Sequence, residues 1–178
     1  MIVNRYRYIE QLSRSKNNGL IKIITGLRRS GKSFLLKKLF HQHLLDEGVR
    51  EDHILVIDME SRKNREFKNP DYLLDWVEKM MIDYETYYII IDEVQEVEDF
   101  VEVLSSLSVT EGADVYVTGS NSRFLSSDLV TEFRGRGDEI HVWPLSFKEF
   151  MTVYDGTKED GGAENRLDGG VPQLLTQV

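Results

Sequence analysis

The sequence predicts an α/β protein in which helices cover both faces of a parallel sheet, and three observations carry this prediction. Apolar runs of strand length alternate along the chain with segments whose apolar residues recur at helical spacing. A glycine-rich turn at residues 26–33 joins the first strand directly to a long helix. An acidic pair, Asp92 and Glu93, closes the most apolar strand. Such alternation requires right-handed crossovers, which place the carboxyl ends of the strands, where ligands bind, at one edge.

The individual elements follow from short-range patterns. Strands are predicted where apolar runs end in turn-forming or charged residues, at 20–25, 53–58, 87–91, 114–118 and 140–143. Helices are predicted where apolar residues share one face, at 6–13, 34–45, 70–81, 100–107 and 124–133. Gly48 is a stop signal for the second helix. Asn69 and Pro70 suit the N-cap and first position of the third. Residues 61–68 are charged and aperiodic, which predicts a surface loop.

The glycine-rich turn matches the phosphate-binding pattern G-x-x-x-x-G-K-S. Its residues are Gly26-Leu27-Arg28-Arg29-Ser30-Gly31-Lys32-Ser33, followed by Phe34, and all nine are candidates for nucleotide contact. The glycines let the backbone curl so that successive N–H groups point at one anion, and the following helix adds its dipole. The pattern assigns Lys32 to the β- and γ-phosphates and the Ser33 hydroxyl to Mg²⁺. A chance match is the alternative, and the strand–turn–helix context argues against it.

Asp92 and Glu93 come directly after five apolar residues at 87–91. A carboxylate at this point of a phosphate-binding fold is expected to serve Mg²⁺, which we assign to Asp92. Glu93 is then the candidate that polarises a water molecule for attack on the γ-phosphate. The alternative is an acidic pair that merely ends a strand facing solvent. The preceding apolar run and the upstream loop favour the functional interpretation.

Two further positions are candidates for contact with the γ-phosphate. At the end of the fourth strand, Asn121 is our first choice for a residue that senses the phosphate, with Thr118 and Ser120 as alternatives. Helix N-capping explains the polar residues 120–122 equally well. Arg136 is a candidate arginine finger, acting within the chain or from a neighbouring subunit. A solvated turn between a helix and a strand is the competing interpretation of that arginine.

Composition limits the class of protein. The 178 residues include no cysteine, which excludes disulfides, thiolate metal sites and cysteine nucleophiles. The net charge of −9 argues against a broad basic surface that grips nucleic acid directly. Basic residues cluster only locally, and these clusters suit phosphate ligands or solvated helix faces: Arg28/Arg29/Lys32, Lys37/Lys38 and Arg134/Arg136. No apolar stretch reaches membrane-spanning length, and the N-terminus lacks a signal-peptide core. We therefore expect a cytoplasmic protein with no membrane contact.

Taken together, the motifs resemble the bacterial and archaeal AAA-type ATPases that carry a C-terminal domain of unknown function. The resemblance rests on the phosphate loop and on the segments 91–95, 118–122, 135–136, 144–150 and 169–172. It implies an additional-strand P-loop ATPase core, a three-layer α/β/α fold with strand order 5-1-4-3-2, that binds ATP and Mg²⁺. It also implies the usual roles for Lys32, Ser33, Asp92 and Glu93, with Arg136 as a charged contact.

The resemblance also bears on domain organisation. We expect residues 1–151 to form the ATPase core. Residues 152–178 turn to glycine and charged residues, which predicts a mobile loop and the beginning of a C-terminal region that is cut short at Val178. Proteins of the resembled family continue into helical and winged-helix-like regions. We expect a protein or nucleic-acid partner to bind through that region. The sequence is also compatible with a homo-oligomer.

The leading functional hypothesis is an ATPase that cycles between ATP and ADP to switch a conformation, with low turnover in this isolated portion. One alternative is a nucleotide-gated binding module with negligible turnover. Another is a P-loop kinase for a small molecule, for which a glutamate directly after Asp92 is less expected. The sequence contains no Asn-Lys-x-Asp guanine-reading motif, so we expect adenine nucleotides to be preferred.

Overall fold

A computed structural model describes residues 3–119, Phe133 and residues 137–151. Its centre is a five-stranded sheet in the order β2-β3-β4-β1-β5, in which all four pairings are parallel. The strands are β1 Ile21–Thr25, β2 Ile54–Asp58, β3 Tyr87–Asp92, β4 Ala113–Thr118 and β5 Gly137–His141. Read from the other edge, this is the order that the resemblance implied, so the predicted fold class is confirmed.

Helices lie on both faces of the sheet. They are α1 Tyr6–Arg14, α2 Lys32–Phe34, α3 His41–Asp46, α4 Pro70–Met80, α5 Phe100–Ser108 and α6 Phe147–Met151. A π-helical segment, Leu35–Phe40, joins α2 to α3, so the predicted amphipathic helix is present but is not a regular α-helix throughout. Within residues 3–119 and 137–151, every helix is too short or too polar to cross a bilayer.

Each face of the sheet carries its own apolar core. On one face, α4 and α5 supply side chains such as Val77 and Leu104. On the other, α1 and the π-helical segment supply side chains such as Leu12 and Phe40. Every residue of β1 and β3 is buried, as central strands covered on both faces require. The three-layer arrangement therefore holds the carboxyl ends of these strands at one rigid edge.

Local signals placed several boundaries correctly. The Asn69 side chain accepts a hydrogen bond of 2.9 Å from the Tyr72 N–H, and Pro70 begins α4, as predicted for an N-cap followed by proline. Gly48 adopts φ 91°, a conformation that suits glycine after a helix end. The segment predicted as an irregular loop instead forms 3₁₀ turns at Arg62–Lys68. These turns are formed by local hydrogen bonds, such as the one from the Asn64 N–H to the Ser61 carbonyl. They need no periodic pattern of apolar residues, so no sequence pattern indicated them.

The prediction for the fifth strand was wrong at both ends. The strand spans Gly137–His141 rather than 140–143, because Ile21 pairs with Gly137 and Thr25 with His141. The first half of this edge strand is polar, so it shows no apolar run. The apolar Trp143, which the prediction included, lies beyond the strand and is 63% exposed. The predicted helix at 124–133, apart from Phe133, lies outside the described residues.

Candidate nucleotide-binding site

The phosphate loop connects β1 to α2 through backbone conformations that residues with a side chain rarely adopt. Gly26 has φ 138° and Gly31 has φ 90°. A Cβ on Gly26 would lie 2.2 Å from the carbonyl oxygen of Val142, so only glycine fits there. Arg29 is also left-handed, at φ 64°, although it carries a side chain. Glycine adopts such backbone without strain, whereas Arg29 keeps it only because the surrounding structure holds the turn in place.

Lys32 folds back over the loop that precedes it. Its Nζ donates hydrogen bonds of 3.0 Å to the carbonyl oxygens of Gly26 and Leu27. Burial lowers the pKa of Lys32, while the negative charges of Glu93 and Asp92 act in the opposite direction. The ammonium group thus has only neutral acceptors within hydrogen-bond distance in the described structure. A phosphate oxygen would be a stronger acceptor than either carbonyl.

The Asp92 carboxylate is fully buried and contacts three polar side chains from other elements. Its Oδ1 accepts hydrogen bonds from the Ser33 hydroxyl at 2.9 Å and from the Thr118 hydroxyl at 2.6 Å. The Thr118 oxygen in turn accepts the backbone N–H of Glu93 at 2.9 Å. These bonds join the start of α2, the end of β3 and the end of β4 at one carboxylate.

The second carboxylate oxygen of Asp92 faces Lys37, which lies in the π-helical segment. The Nζ of Lys37 is 2.7 Å from Oδ2 of Asp92 and 2.7 Å from Oδ2 of Asp58 at the end of β2. Lys37 thus forms a hydrogen bond with Asp58 and an ion pair with Asp92. Burial lowers the pKa of Lys37, but the interactions with Asp58 and then Asp92 outweigh it, so that the pKa is raised.

Replacing Lys37 by methionine would remove this ammonium group and keep most of the side-chain length. We expect the free energy of unfolding to fall by about 1.5–3 kcal/mol, because hydrogen bonds to charged groups contribute on that scale and Asp92 would stay buried without a counter-ion. Urea unfolding followed by circular dichroism measures the change. Lys38→Met is the matched control, since Lys38 is exposed, and it should change stability by less than about 0.5 kcal/mol. Equal midpoints for the two variants would contradict this role of Lys37.

Glu93 turns the chain immediately after β3. Its backbone is left-handed, with φ 58° and ψ 52°, which is uncommon for a residue with a side chain. Its Oε2 accepts a hydrogen bond of 2.5 Å from Nε2 of Gln95. Burial lowers the pKa of Lys32 and the negative charges of Glu93 and Asp92 both act to raise it, so these neighbouring carboxylates interact electrostatically with the same lysine. In a continued strand, successive side chains would point to opposite faces.

The structure thus brings Lys32, Ser33, Asp92 and Glu93 to one edge of the sheet. The side chains of Leu27, Arg28 and Arg29 are exposed, so the loop would contact phosphate there chiefly through its backbone. Sequence reasoning did not single out Lys37 beyond the Lys37/Lys38 cluster. Its spacing of four residues from Ser33, which places both on one helix face, was the available signal.

Three of the residues predicted for the site lie outside the described residues: Ser120, Asn121 and Arg136. Thr118, the remaining candidate for phosphate sensing, bridges the Asp92 carboxylate and the Glu93 N–H in this structure. Its hydroxyl therefore donates to Asp92 and accepts from Glu93, both within the site.

A glycine-rich loop between β1 and a helix, with β4 inserted between β1 and β3, defines an additional-strand P-loop protein. The chain belongs to the family described as AAA domain, which matches residues 18–151. The resemblance inferred from the sequence is therefore confirmed at the level of the family. Membership of this family supports nucleotide binding and an ATPase-type function, which are general to AAA domains.

Comparisons with individual proteins agree with this assignment. The chain is 38% identical over 151 residues to an uncharacterised protein of Haemophilus influenzae, and the match covers 84% of this chain. It spans only 38% of the length of that relative. The fold is similar to Cdc6p from Pyrobaculum aerophilum, with a TM-score of 0.56, 12% identity and coverage of 95% of this chain and 50% of the other. It is also similar to the Aeropyrum pernix ORC2 protein in its ADPNP–ADP complexes, with a TM-score of 0.50, 14% identity and coverage of 95% and 51%.

Proposed function

We propose that this chain binds ATP together with Mg²⁺ and hydrolyses the γ-phosphate to switch its conformation. The observation that carries the proposal is the meeting of the phosphate loop with two acidic residues at the end of β3. Lys32 reaches back into the loop, and the Ser33 hydroxyl is bonded directly to Asp92. A loop for phosphate, a hydroxyl–carboxylate pair for a cation and an adjacent glutamate are the parts that phosphoryl transfer to water requires.

The loop residues fit a phosphate group. The Ser30 hydroxyl is buried and has no hydrogen-bond partner among the described residues, and the left-handed Gly31 that follows it is the N-cap of α2. Lys32 has carbonyl acceptors that a charged oxygen would replace. The ORC2 protein that shares this fold is described in complexes with ADPNP and ADP. The loop, the family and the fold together support adenine nucleotides as the ligands of this chain.

Ser33 and Asp92 are the residues that would hold Mg²⁺, because this cation prefers hard oxygen ligands. When bound, Mg²⁺ would neutralise charge on the phosphate oxygens during transfer. The chain prepares for it by fixing Asp92 through both of its oxygens, one by Ser33 and Thr118 and the other by Lys37. A carboxylate held in this way needs little rearrangement when it meets a cation.

Glu93 is the proposed general base. In this role it orients a water molecule and takes its proton at a carboxylate oxygen. Gln95 donates to Oε2 of Glu93 and thereby restrains the rotation of that carboxylate. Lys32 would stabilise negative charge on the transferred phosphoryl group. Asn121 as phosphate sensor and Arg136 as arginine finger remain predictions, as does the division into a core of residues 1–151 and a further region from 152.

Calorimetry with ATP and GTP tests the binding part of this proposal. We expect ATP to bind more tightly than GTP, and we expect removal of Mg²⁺ by a chelator to weaken ATP binding by about tenfold or more, since a charge-neutralising ligand is lost. A clear preference for GTP, or affinity independent of Mg²⁺, would contradict the assignment.

Release of inorganic phosphate tests the catalytic part. Phosphate set free in water, at a rate that candidate small-molecule acceptors do not change, supports an ATPase. Transfer of the phosphoryl group to an added acceptor would identify a kinase instead. Tight ATP binding without any release would identify a nucleotide-gated module, and the longer protein would then be compared with this chain.

A further inference from the structure

Arg5 is a buried charged residue that the proposed function does not use. It lies immediately before α1 and is 7% exposed. Its backbone is left-handed, with φ 44° and ψ 42°, a conformation that residues with a Cβ adopt only at a cost. Both the buried charge and the backbone conformation disfavour folding unless the surroundings compensate for them. The contacts of the guanidinium group show what compensates.

The guanidinium group of Arg5 connects three separate parts of the chain. Its Nη1 donates a hydrogen bond of 2.7 Å to the carbonyl oxygen of Ser30 in the phosphate loop. Its Nη2 donates one of 2.5 Å to the carbonyl oxygen of Trp143, just after β5. Its Nε lies 3.6 Å from a carboxylate oxygen of Glu149 in α6, and the guanidinium carbon lies 4.6 Å from the ring centre of Tyr8.

The contact with Ser30 acts on the peptide that leads into the second glycine of the loop. In a trans peptide the carbonyl oxygen of one residue and the N–H of the next point in opposite directions. By holding the Ser30 oxygen, Arg5 sets the direction of the Gly31 N–H, which is one of the successive donors of a phosphate-binding loop. The guanidinium group lies beside this peptide, since a Cβ on Gly31 would be in ordinary van der Waals contact with Nη1 of Arg5, at 3.5 Å.

The contacts with Trp143, Glu149 and Tyr8 anchor the arginine to segments outside the phosphate loop. The Trp143 N–H donates to the Tyr8 hydroxyl at 3.1 Å, so α1 and the segment after β5 are joined at a second point. Glu149 accepts hydrogen bonds of 2.8 Å from the N–H and the hydroxyl of Ser146 at the start of α6. The guanidinium group is therefore held in place by α1, by the segment after β5 and by α6, none of which is part of the phosphate loop.

We propose that Arg5 is a positioning residue for phosphate binding, which aims the Gly31 N–H into the loop by fixing the Ser30 carbonyl from outside. The role rests on the proposed function, since it requires a phosphate ligand at this loop. Arginine suits the position because its planar group donates to two carbonyls at fixed angles, whereas the single ammonium of lysine does not reproduce that geometry.

Calorimetric titration with Mg²⁺-ATP and with inorganic tripolyphosphate, carried out on Arg5→Ala and Arg5→Lys, tests this role. We expect Arg5→Ala to weaken both ligands about tenfold, as expected for one misdirected charge-assisted donor, and Arg5→Lys to fall between it and the parental chain. Arg7→Ala is the matched control, because Arg7 is an exposed arginine two residues away, and it should leave both affinities unchanged.

The binding stoichiometry separates positioning from folding. A merely structural role would lower the fraction of competent protein, and hence the stoichiometry, while the affinity of the folded fraction stayed parental. Parental affinities in Arg5→Ala would overturn the inference. Should Arg5→Ala fail to fold, parental affinity in Arg5→Lys would overturn it equally. A parental chain that binds neither ligand would refute the proposed function itself, and the role of Arg5 with it.

Discussion

Replacing Glu93 by glutamine is expected to lower ATP turnover by about 10²–10⁴-fold, the usual contribution of a positioned acid–base group. Glutamine keeps the shape of the side chain but cannot take a proton from water. Nucleotide affinity should stay within about threefold of the parental value, because the phosphate contacts of Lys32 and the loop are made elsewhere. Phosphate release at saturating ATP, together with calorimetric affinity, measures the two effects separately.

Two comparisons sharpen this experiment. Glu98→Gln is the matched control, since Glu98 is an exposed glutamate on the same connection, and its turnover should equal that of the parental chain. Asp92→Asn should act differently, by weakening the Mg²⁺-dependent part of binding. A Glu93→Gln protein that hydrolyses ATP at the parental rate would refute the assignment of Glu93 as the base.

Replacing Lys32 by alanine is expected to weaken ATP binding by about ten- to a hundredfold, which corresponds to the loss of a charge-assisted contact of about 1.5–3 kcal/mol. The ammonium group already lies inside the loop, 3.0 Å from the carbonyl oxygens of Gly26 and Leu27. Little movement is needed for it to exchange these neutral acceptors for phosphate oxygens. Calorimetry with Mg²⁺-ATP gives the affinity.

The control for this variant is Lys38→Ala, which removes an exposed lysine of the same helical stretch and should leave affinity unchanged. Thermal unfolding of both variants shows whether losing the two hydrogen bonds of Lys32 lowers the stability of the fold, so that a loss of affinity can be separated from a loss of folded protein. Equal ATP affinity in the parental and Lys32→Ala proteins would remove the main support for phosphate binding at this loop.

The core of the fold followed from patterns confined to a few neighbouring residues. The apolar runs identified β1 and β3, and the spacing of apolar residues identified α5, whose predicted buried face is the one that the structure buries. The N-cap at Asn69 could be read because capping depends on a side chain and an N–H three residues apart. The strand order came from resemblance, since local patterns do not specify which strands are neighbours.

Weak local patterns limited the prediction at the edge of the sheet. The polar first half of β5 shows no apolar alternation, because an edge strand buries less of its surface than a central one. Its true bounds are set by pairing with β1, more than 100 residues earlier in the chain. The apolar residues beyond the strand therefore misplaced the prediction by three residues at its start.

By itself, the sequence predicted a phosphate-binding loop, because the strand, the loop and the helix that build it are contiguous. It predicted Asp92 and Glu93 at the same edge of the sheet, because the carboxyl ends of parallel strands meet there. Only the tertiary structure decided how those residues are held. Lys37 meets Asp58 and Asp92, Thr118 bridges to Asp92, and Arg5 reaches the Ser30 carbonyl across 25 residues of chain. These contacts join parts of the chain that no short-range period connects, so they exist only once the sheet and its helices have packed.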